Sequence, residues 1–196
     1  MEIVESFMKF SFEDENFFYI ENDPLIKDVH KTCEFVVLIN ERAALIEAKS
    51  SSPHPQNHDK FDEWMDEVKS KFTQALEMFV GIREKKFGDE AYERLPRRMK
   101  EVDIKGNNYA IYLIVHGHRM DWIDGLQDAL KEALREVLVK WHIPDSNVKA
   151  VNHEVAKELK LIVDYIPVEE LPEIKQPLDD TEQHRRNAVE WFKQHK

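Results

Sequence analysis

The chain is short of cysteine, of glycine and of positive charge: one cysteine, five glycines, and a net charge of −11. Cys33 alone cannot close an internal disulfide, which excludes a disulfide-framed secreted scaffold. Five scattered glycines leave no Gly-rich loop to cradle phosphates. The longest purely apolar run, YAIYLIV at 109–115, is far too short to span a bilayer. The opening MEIVESF carries Glu2 and Glu5 and lacks the basic start of a signal peptide. Together these absences predict a cytoplasmic protein with no membrane partner. The acidic balance also bears on nucleic acid, because a free nucleic-acid binder ordinarily shows a basic footprint.

Nucleophile and zinc motifs are equally thin. Cys33 opens an apolar stretch and reads as a small buried hydrophobe. His54 and His58 are four apart, and His116 and His118 flank Gly117, but no further histidine or cysteine stands at a convincing zinc spacing. The four are expected on the surface or in a substrate loop.

What the chain does have is 42% hydrophobic and 34% charged residues over 196 positions, enough for one well-filled core under a very soluble surface. The periodicity predicts a short helix within 1–16, a strand at 17–21 and a strand hairpin over 32–53. A helix is expected from Asp59 to about Phe87, with Phe61, Trp64, Met65, Val68, Phe72, Leu76, Phe79 and Val80 at helical spacing. A buried strand at 108–118 and a second long helix from Asp121 to Trp141 follow. A short strand at 147–152, an apolar segment at 159–166 and a final amphipathic helix at 179–194 complete the chain. The order implies an α/β (α+β) fold with a central mixed sheet flanked by helices. Residues 1–166 form the expected core domain, and 167–196 an extended segment ending in a helical arm.

The hairpin carries the chemistry. With Asn40-Glu41 as a two-residue turn, Ile39 faces Arg42, Leu38 faces Ala43, Val36 faces Leu45 and Glu34 faces Glu47. Alternation puts Glu34, Val36, Leu38, Ala43, Leu45, Glu47 and Lys49 on one face, and Phe35, Val37, Ile39, Ala44, Ile46 and Ala48 on the other. Both faces are mostly apolar, so the hairpin belongs in the middle of the sheet. Two carboxylates opposite each other destabilise a sheet unless a positive charge intervenes. Lys49, two residues along, is one candidate. A divalent cation bridging both carboxylates is another. A salt bridge at a charged strand end is the plainer account of Glu-x-Lys, but it leaves Glu34 unexplained.

An acidic residue opening one strand, a hairpin, then IEAKSS ending the next strand before a long helix resembles the PD-(D/E)xK nuclease superfamily. The resemblance implies a restriction-endonuclease-like core. Glu34 and Glu47 match the motif's acidic metal ligands, and Lys49 matches its lysine. The Ala48 backbone carbonyl would be a further ligand, and Glu21, from before the hairpin, an additional one. Cys33-Glu34 stands where the family has Pro-Asp. The implied function is a Mg²⁺- or Mn²⁺-dependent endonuclease or exonuclease, with DNA the expected substrate. Arg97, Arg98 and Lys100, within the basic stretch Arg94 to Lys105, are candidates for phosphate-backbone contact. Lys71 and Gln74, on the helix after the motif, are expected on its exposed face. The acidic charge calls for a partner subunit or homo-oligomer to supply basic surface. The alternative is a catalytically inactive nuclease fold kept as an interaction or regulatory subunit.

Overall fold

A computed structural model describes residues 1–26, 30–101, 103, 106–171 and 181–195. The chain opens with two strands, β1 (Glu2–Glu5) and β2 (Met8–Ser11), followed by a two-residue strand β3 (Phe17–Phe18). The hairpin is β4 (Phe35–Ile39) and β5 (Arg42–Lys49). Helix α1 (His58–Arg83) leads through two short helices, α2 (Asp89–Glu93) and α3 (Arg97–Glu101), into β6 (Tyr109–Val115). Helix α4 (Ile123–Trp141), β7 (Val148–Asn152), α5 (His153–Glu158), β8 (Asp164–Tyr165) and α6 (Thr181–Gln194) complete the fold.

Five strands make the central sheet in the order β3-β4-β5-β6-β7. The β3-β4 and β4-β5 pairs are antiparallel, while β5-β6 and β6-β7 are parallel. The hairpin register is the one expected: Ile39 pairs with Arg42, Leu38 with Ala43 and Val36 with Leu45. It is set by the turn, where Asn40 (φ 50°) and Glu41 (φ 61°) are both left-handed, the geometry that matches strand twist in a two-residue hairpin. Glu41 carries a strain of roughly 1–2 kcal/mol in that region.

The two faces separate as the alternation requires. Val36, Leu38, Ala43, Leu45, Ile111 and Leu113 pack against Val68, Phe72, Leu76 and Phe79 of α1 and Leu126, Leu130 and Leu134 of α4. Phe35, Val37, Ile46, Ala48 and Ile114 pack on the other side against Met8, Phe10, Phe17, Ala156 and Ile162. Each large aliphatic side chain buried this way is worth ~1.5–3 kcal/mol relative to exposure, which is why β5 tolerates apolar residues on both faces.

The N-terminal segment departs from expectation. It forms no helix: β1 and β2 pair as an antiparallel hairpin, and β2 pairs with β8, giving a second, three-stranded sheet over the Phe35 face. The misleading signal is Ile3, Val4, Phe7 and Met8, whose spacing fits a helix. Ser6 (φ 49°) and Phe7 (φ 62°) instead form a left-handed turn built without glycine or asparagine. The strand expected at 17–21 is only Phe17–Phe18, and Ile20–Asn22 turn into a short 3-10 helix. Helix α6 returns to β1, where Ala188 and Phe192 pack with Phe7, Ile166 and Val4. Among the described residues no helix is long and apolar enough to cross a membrane.

Candidate active site

Glu47, Ala48 and Lys49 lie at the carboxyl end of β5, beside its parallel neighbour β6. Crevices outside the carboxyl ends of parallel strands are the usual ligand sites of such sheets. Because β4 runs antiparallel to β5, the residue entering β4, Glu34, arrives at the same sheet edge. The ladder stops one step short of the expected direct pair: its last rung is Phe35 with Ile46, and Glu34 sits in a bend just outside it. Both carboxylates still reach a common point. Glu47 is 0% exposed and Glu34 5%.

The cation between them is Lys71, from α1. Its Nζ lies 2.8 Å from Glu47 Oε1, 3.8 Å from Glu34 Oε1 and 3.9 Å from Glu21 Oε1. This corrects the expectation that Lys71 belongs to an exposed helix face. Position 71 is three residues after Val68 and four before Ala75, both fully buried, so it borders the apolar stripe and its amine reaches the sheet edge. Lys49, assigned to the motif, divides its charge: 3.2 Å from Glu47 Oε1, and a 2.9 Å hydrogen bond donated to Glu67 of α1. A fourth carboxylate, Glu5 at the end of β1, is buried and ion-paired to Arg185 of α6.

Glu5, Glu21, Glu34, Lys49, Lys71 and Arg185 line one open cleft of 680 Å³, which also takes in the loop from Ser50 to Pro53. The charges do not balance. Lys49 and Glu67 cancel, leaving Glu5, Glu21, Glu34 and the fully buried Glu47 beside them against Lys60, Lys71 and Arg185. Glu34 Oε2 and both Glu47 oxygens are buried with no hydrogen bond of good geometry, despite the nearby ammonium. Burial, then the charges of Glu47, Glu5 and Glu21, push the Glu34 carboxyl well above the usual carboxylate range. Burial raises Glu5 as well, against the lowering effect of Arg185. Burial disfavours the charge on Lys71, but Glu47, Glu34 and Glu21 outweigh it and hold the amine protonated beyond its ordinary range.

Orphaned, desolvated carboxylate oxygens beside a backbone carbonyl are the donor set a hard divalent cation takes. Ala48, the predicted carbonyl ligand, is at the site, and its oxygen accepts a 3.0 Å hydrogen bond from Ser6 Oγ at the tip of the first hairpin. A carbonyl has a second lone pair free for a cation. Among the described residues no three His, Cys, Asp or Glu side chains come together as a ready-made metal cage. One or two carboxylates and a carbonyl are a donor set that Mg²⁺ or Mn²⁺ can take when water and substrate oxygens complete the shell.

The basic candidates lie elsewhere. Arg97, Arg98 and Lys100 are absent from the cleft lining. Arg97 pairs with Glu101, Arg98 with Glu41 and Lys100 with Glu93, and neighbouring Arg94 holds buried Asp23. Lys105 lies outside the described residues. Gln74 is likewise absent from the cleft lining, and its Oε1 accepts from the Lys31 amide. His116 and His118, expected at the surface, are both buried. His116 stacks on His153 and bonds the Ile166 carbonyl oxygen, and His118 bonds Ser52. Burial lowers His116 to about 4, keeping it neutral. His54 remains exposed, edge-on to Trp122.

Four site residues escape a reading of the hairpin alone. Lys71 and Glu67 could have been found from their places beside the apolar stripe of α1. Glu5, a weaker ligand candidate from sequence on an expected helix, reaches the cleft from the end of a strand. Arg185 has no local signal, since its partner is 180 positions away. Comparisons of the chain with protein-family models, with curated proteins and with solved structures each return no match.

Proposed function

We propose that the chain is a divalent-metal-dependent nuclease that hydrolyses phosphodiester bonds, with DNA the preferred substrate. The observation that carries this reading is the pair of buried carboxylates Glu34 and Glu47, the first lining an open cleft and the second fully buried beside it, with oxygens that lack a well-formed hydrogen bond. Keeping carboxylates desolvated and unbonded is costly, and such groups are retained where they hold a cation or do chemistry.

Glu34, Glu47 and the Ala48 carbonyl would hold Mg²⁺ or Mn²⁺, with Glu21 at the margin. When bound, the ion polarises a phosphoryl oxygen and lowers the pKa of water. The rest falls to the chain's own side chains. Lys49, at the cleft wall, faces the entering phosphate and offsets charge that accumulates on its oxygens. Glu67 fixes the Lys49 amine through their hydrogen bond, and burial of Glu67 is outweighed by Lys49, which holds that carboxyl below its usual range. The rigid β5 strand sets Glu47 and Lys49 two residues apart on one face, so ligand and cation keep a fixed separation. The cleft supplies Lys49, Lys60, Lys71 and Arg185 locally. A partner subunit or a second copy supplies the wider basic surface that a chain of net charge −11 lacks.

The test is calorimetric titration of Mn²⁺ into the wild-type protein and into Glu47→Gln, paired with Mn²⁺-dependent cleavage of single- and double-stranded DNA and of RNA. Binding and cleavage that disappear together in the variant support the nuclease. No Mn²⁺ binding to the wild type, with no cleavage, leaves the inactive interaction subunit, in which Glu34, Glu47 and Lys49 are a structural charge cluster.

A further inference from the structure

We infer that Lys71 is the resident cation of the metal-free cleft, an ammonium that a divalent ion displaces and that then turns to the substrate phosphate. The inference rests on the metal-dependent reading above. It concerns a residue of α1 that lies outside the strand motif.

Three observations lead to it. The Lys71 amine stands within 4 Å of three carboxylates, Glu47, Glu34 and Glu21, a position that one cation at a time can hold. That occupancy is incomplete: Glu34 Oε2 and both Glu47 oxygens stay without a well-formed hydrogen bond although the ammonium is adjacent. Lys49 shares Glu47 Oε1 with Lys71, while among the described residues Lys71 alone pairs with Glu34. Finally, Lys71 is not a distant neighbour that happens to point inward. Its side chain is 11% exposed and itself lines the cleft, so the amine has open volume to move into while its stem stays packed beside Val68 and Ala75.

Electrostatics sets the direction. Lys49 already shares Glu47 Oε1 with Lys71, so a divalent ion set between Glu34 and Glu47 meets strong repulsion from the Lys71 amine and competes with it. A divalent ion brings twice the charge and more coordination sites, and it leaves Lys71 in the cleft beside Lys49. There the two amines bracket an incoming phosphate. The stem of Lys71, fixed to a long helix, makes the movement a rotation about side-chain bonds and requires no backbone change. Arg185 does not compete in the same way, because its guanidinium is committed to Glu5.

The experiment compares Lys71→Met, which keeps the stem and removes the charge, with Lys71→Arg, which keeps the charge. Mn²⁺ affinity is read by calorimetry and by the rise in melting temperature with added Mn²⁺. Competition predicts that Lys71→Met binds Mn²⁺ roughly tenfold or more tightly than the wild type, within the usual range for two coupled ligands. Its metal-free form melts lower, and Mn²⁺ restores more of the loss. Lys71→Arg does not gain affinity. Binding to Lys71→Met with none to the wild type overturns the displacement, because the ammonium then keeps its place against the metal. Unchanged or weaker Mn²⁺ affinity in Lys71→Met overturns it, while wild-type binding leaves the metal reading standing. No binding to either protein, both folded by circular dichroism, overturns both. Should Lys71→Met fail to fold, reductive methylation of the wild type decides: Mn²⁺ raises labelling of Lys71 if the amine is displaced, and equal labelling with and without Mn²⁺ overturns the displacement.

Discussion

Two charged regions face each other in this molecule as opposites. The stretch from Arg94 to Glu101 looks basic in sequence, yet each of its cations meets a carboxylate: Arg94 with Asp23, Arg97 with Glu101, Arg98 with Glu41, Lys100 with Glu93. The cleft at the end of β5 looks like a strand tip with a salt bridge, yet among the described residues it holds, with the buried Glu47, one carboxylate more than cations, and Glu34 Oε2 and Glu47 Oε2 have no hydrogen-bond partner. Charge in the first region is paired off: Arg98 ties α3 to the β4–β5 turn, Lys100 ties it to α2, and Arg97 is paired within α3. Charge in the second is left over. Unbalanced charge under burial, more than charge itself, marks the place where a ligand is expected.

Removing one member of a buried ion pair from each region separates them most sharply. Glu47→Ala removes the nearest partner of the Lys71 amine, which keeps Glu34 and Glu21 within 4 Å, and breaking a buried pair costs up to ~3–5 kcal/mol, read as a lowered urea midpoint. An unchanged midpoint would mean that the cleft cluster relaxes into water and is not a desolvated site. Arg94→Ala comes next. Asp23 is almost fully buried and loses two hydrogen bonds from the guanidinium, keeping one from the Leu25 amide, so the expected loss is ~2 kcal/mol. A loss as large as that of Glu47→Ala would erase the distinction between the regions.

Glu34→Gln runs the other way. The folded-state carboxyl titrates above its unfolded value, chiefly through burial, so the stability it contributes is present at low pH and is lost as pH rises through the raised folded pKa. Near pH 8 the wild type carries that loss and Glu34→Gln does not. The variant is therefore expected to melt higher at pH 8 without metal, with the gain shrinking toward pH 4. A variant that melts lower at pH 8 would show that Lys71 already compensates Glu34 in full. The mildest change is Arg97→Ala. Arg97 and Glu101 are exposed, and pairs of this kind contribute little, so neither melting temperature nor DNA affinity should move measurably. A clear drop in DNA affinity would make the α3 surface part of a nucleic-acid interface.

The central sheet was legible because its signals are local. The Asn40-Glu41 turn fixes the register, and alternation then assigns every side chain of β4 and β5 to a face. Glu34, Glu47, Ala48 and Lys49 follow from that register, and the structure brings all four to one sheet edge. The remainder of the cleft was hidden for physical reasons. Ser6-Phe7 makes a left-handed turn from residues that rarely adopt one, so β1 and Glu5 looked helical. Lys71 sits one position from Phe72, on the border between buried and exposed helix faces, where periodicity is least decisive. Arg185 joins the cleft only through tertiary packing of α6.

That last contact has a consequence for how the molecule is made. Glu5 and Arg185 are 180 positions apart, and α6 packs on β1 through Phe192 and Ala188. A chain emerging from the ribosome can form the central sheet, with Glu34, Glu47 and Lys71 in place, well before Arg185 exists. Until then Glu5 stays without its guanidinium, beside carboxylates already too close together. The nascent protein thus passes through a stage in which the cleft is more acidic than in the finished fold. At that stage a dissolved cation, not the chain, is the partner closest to hand.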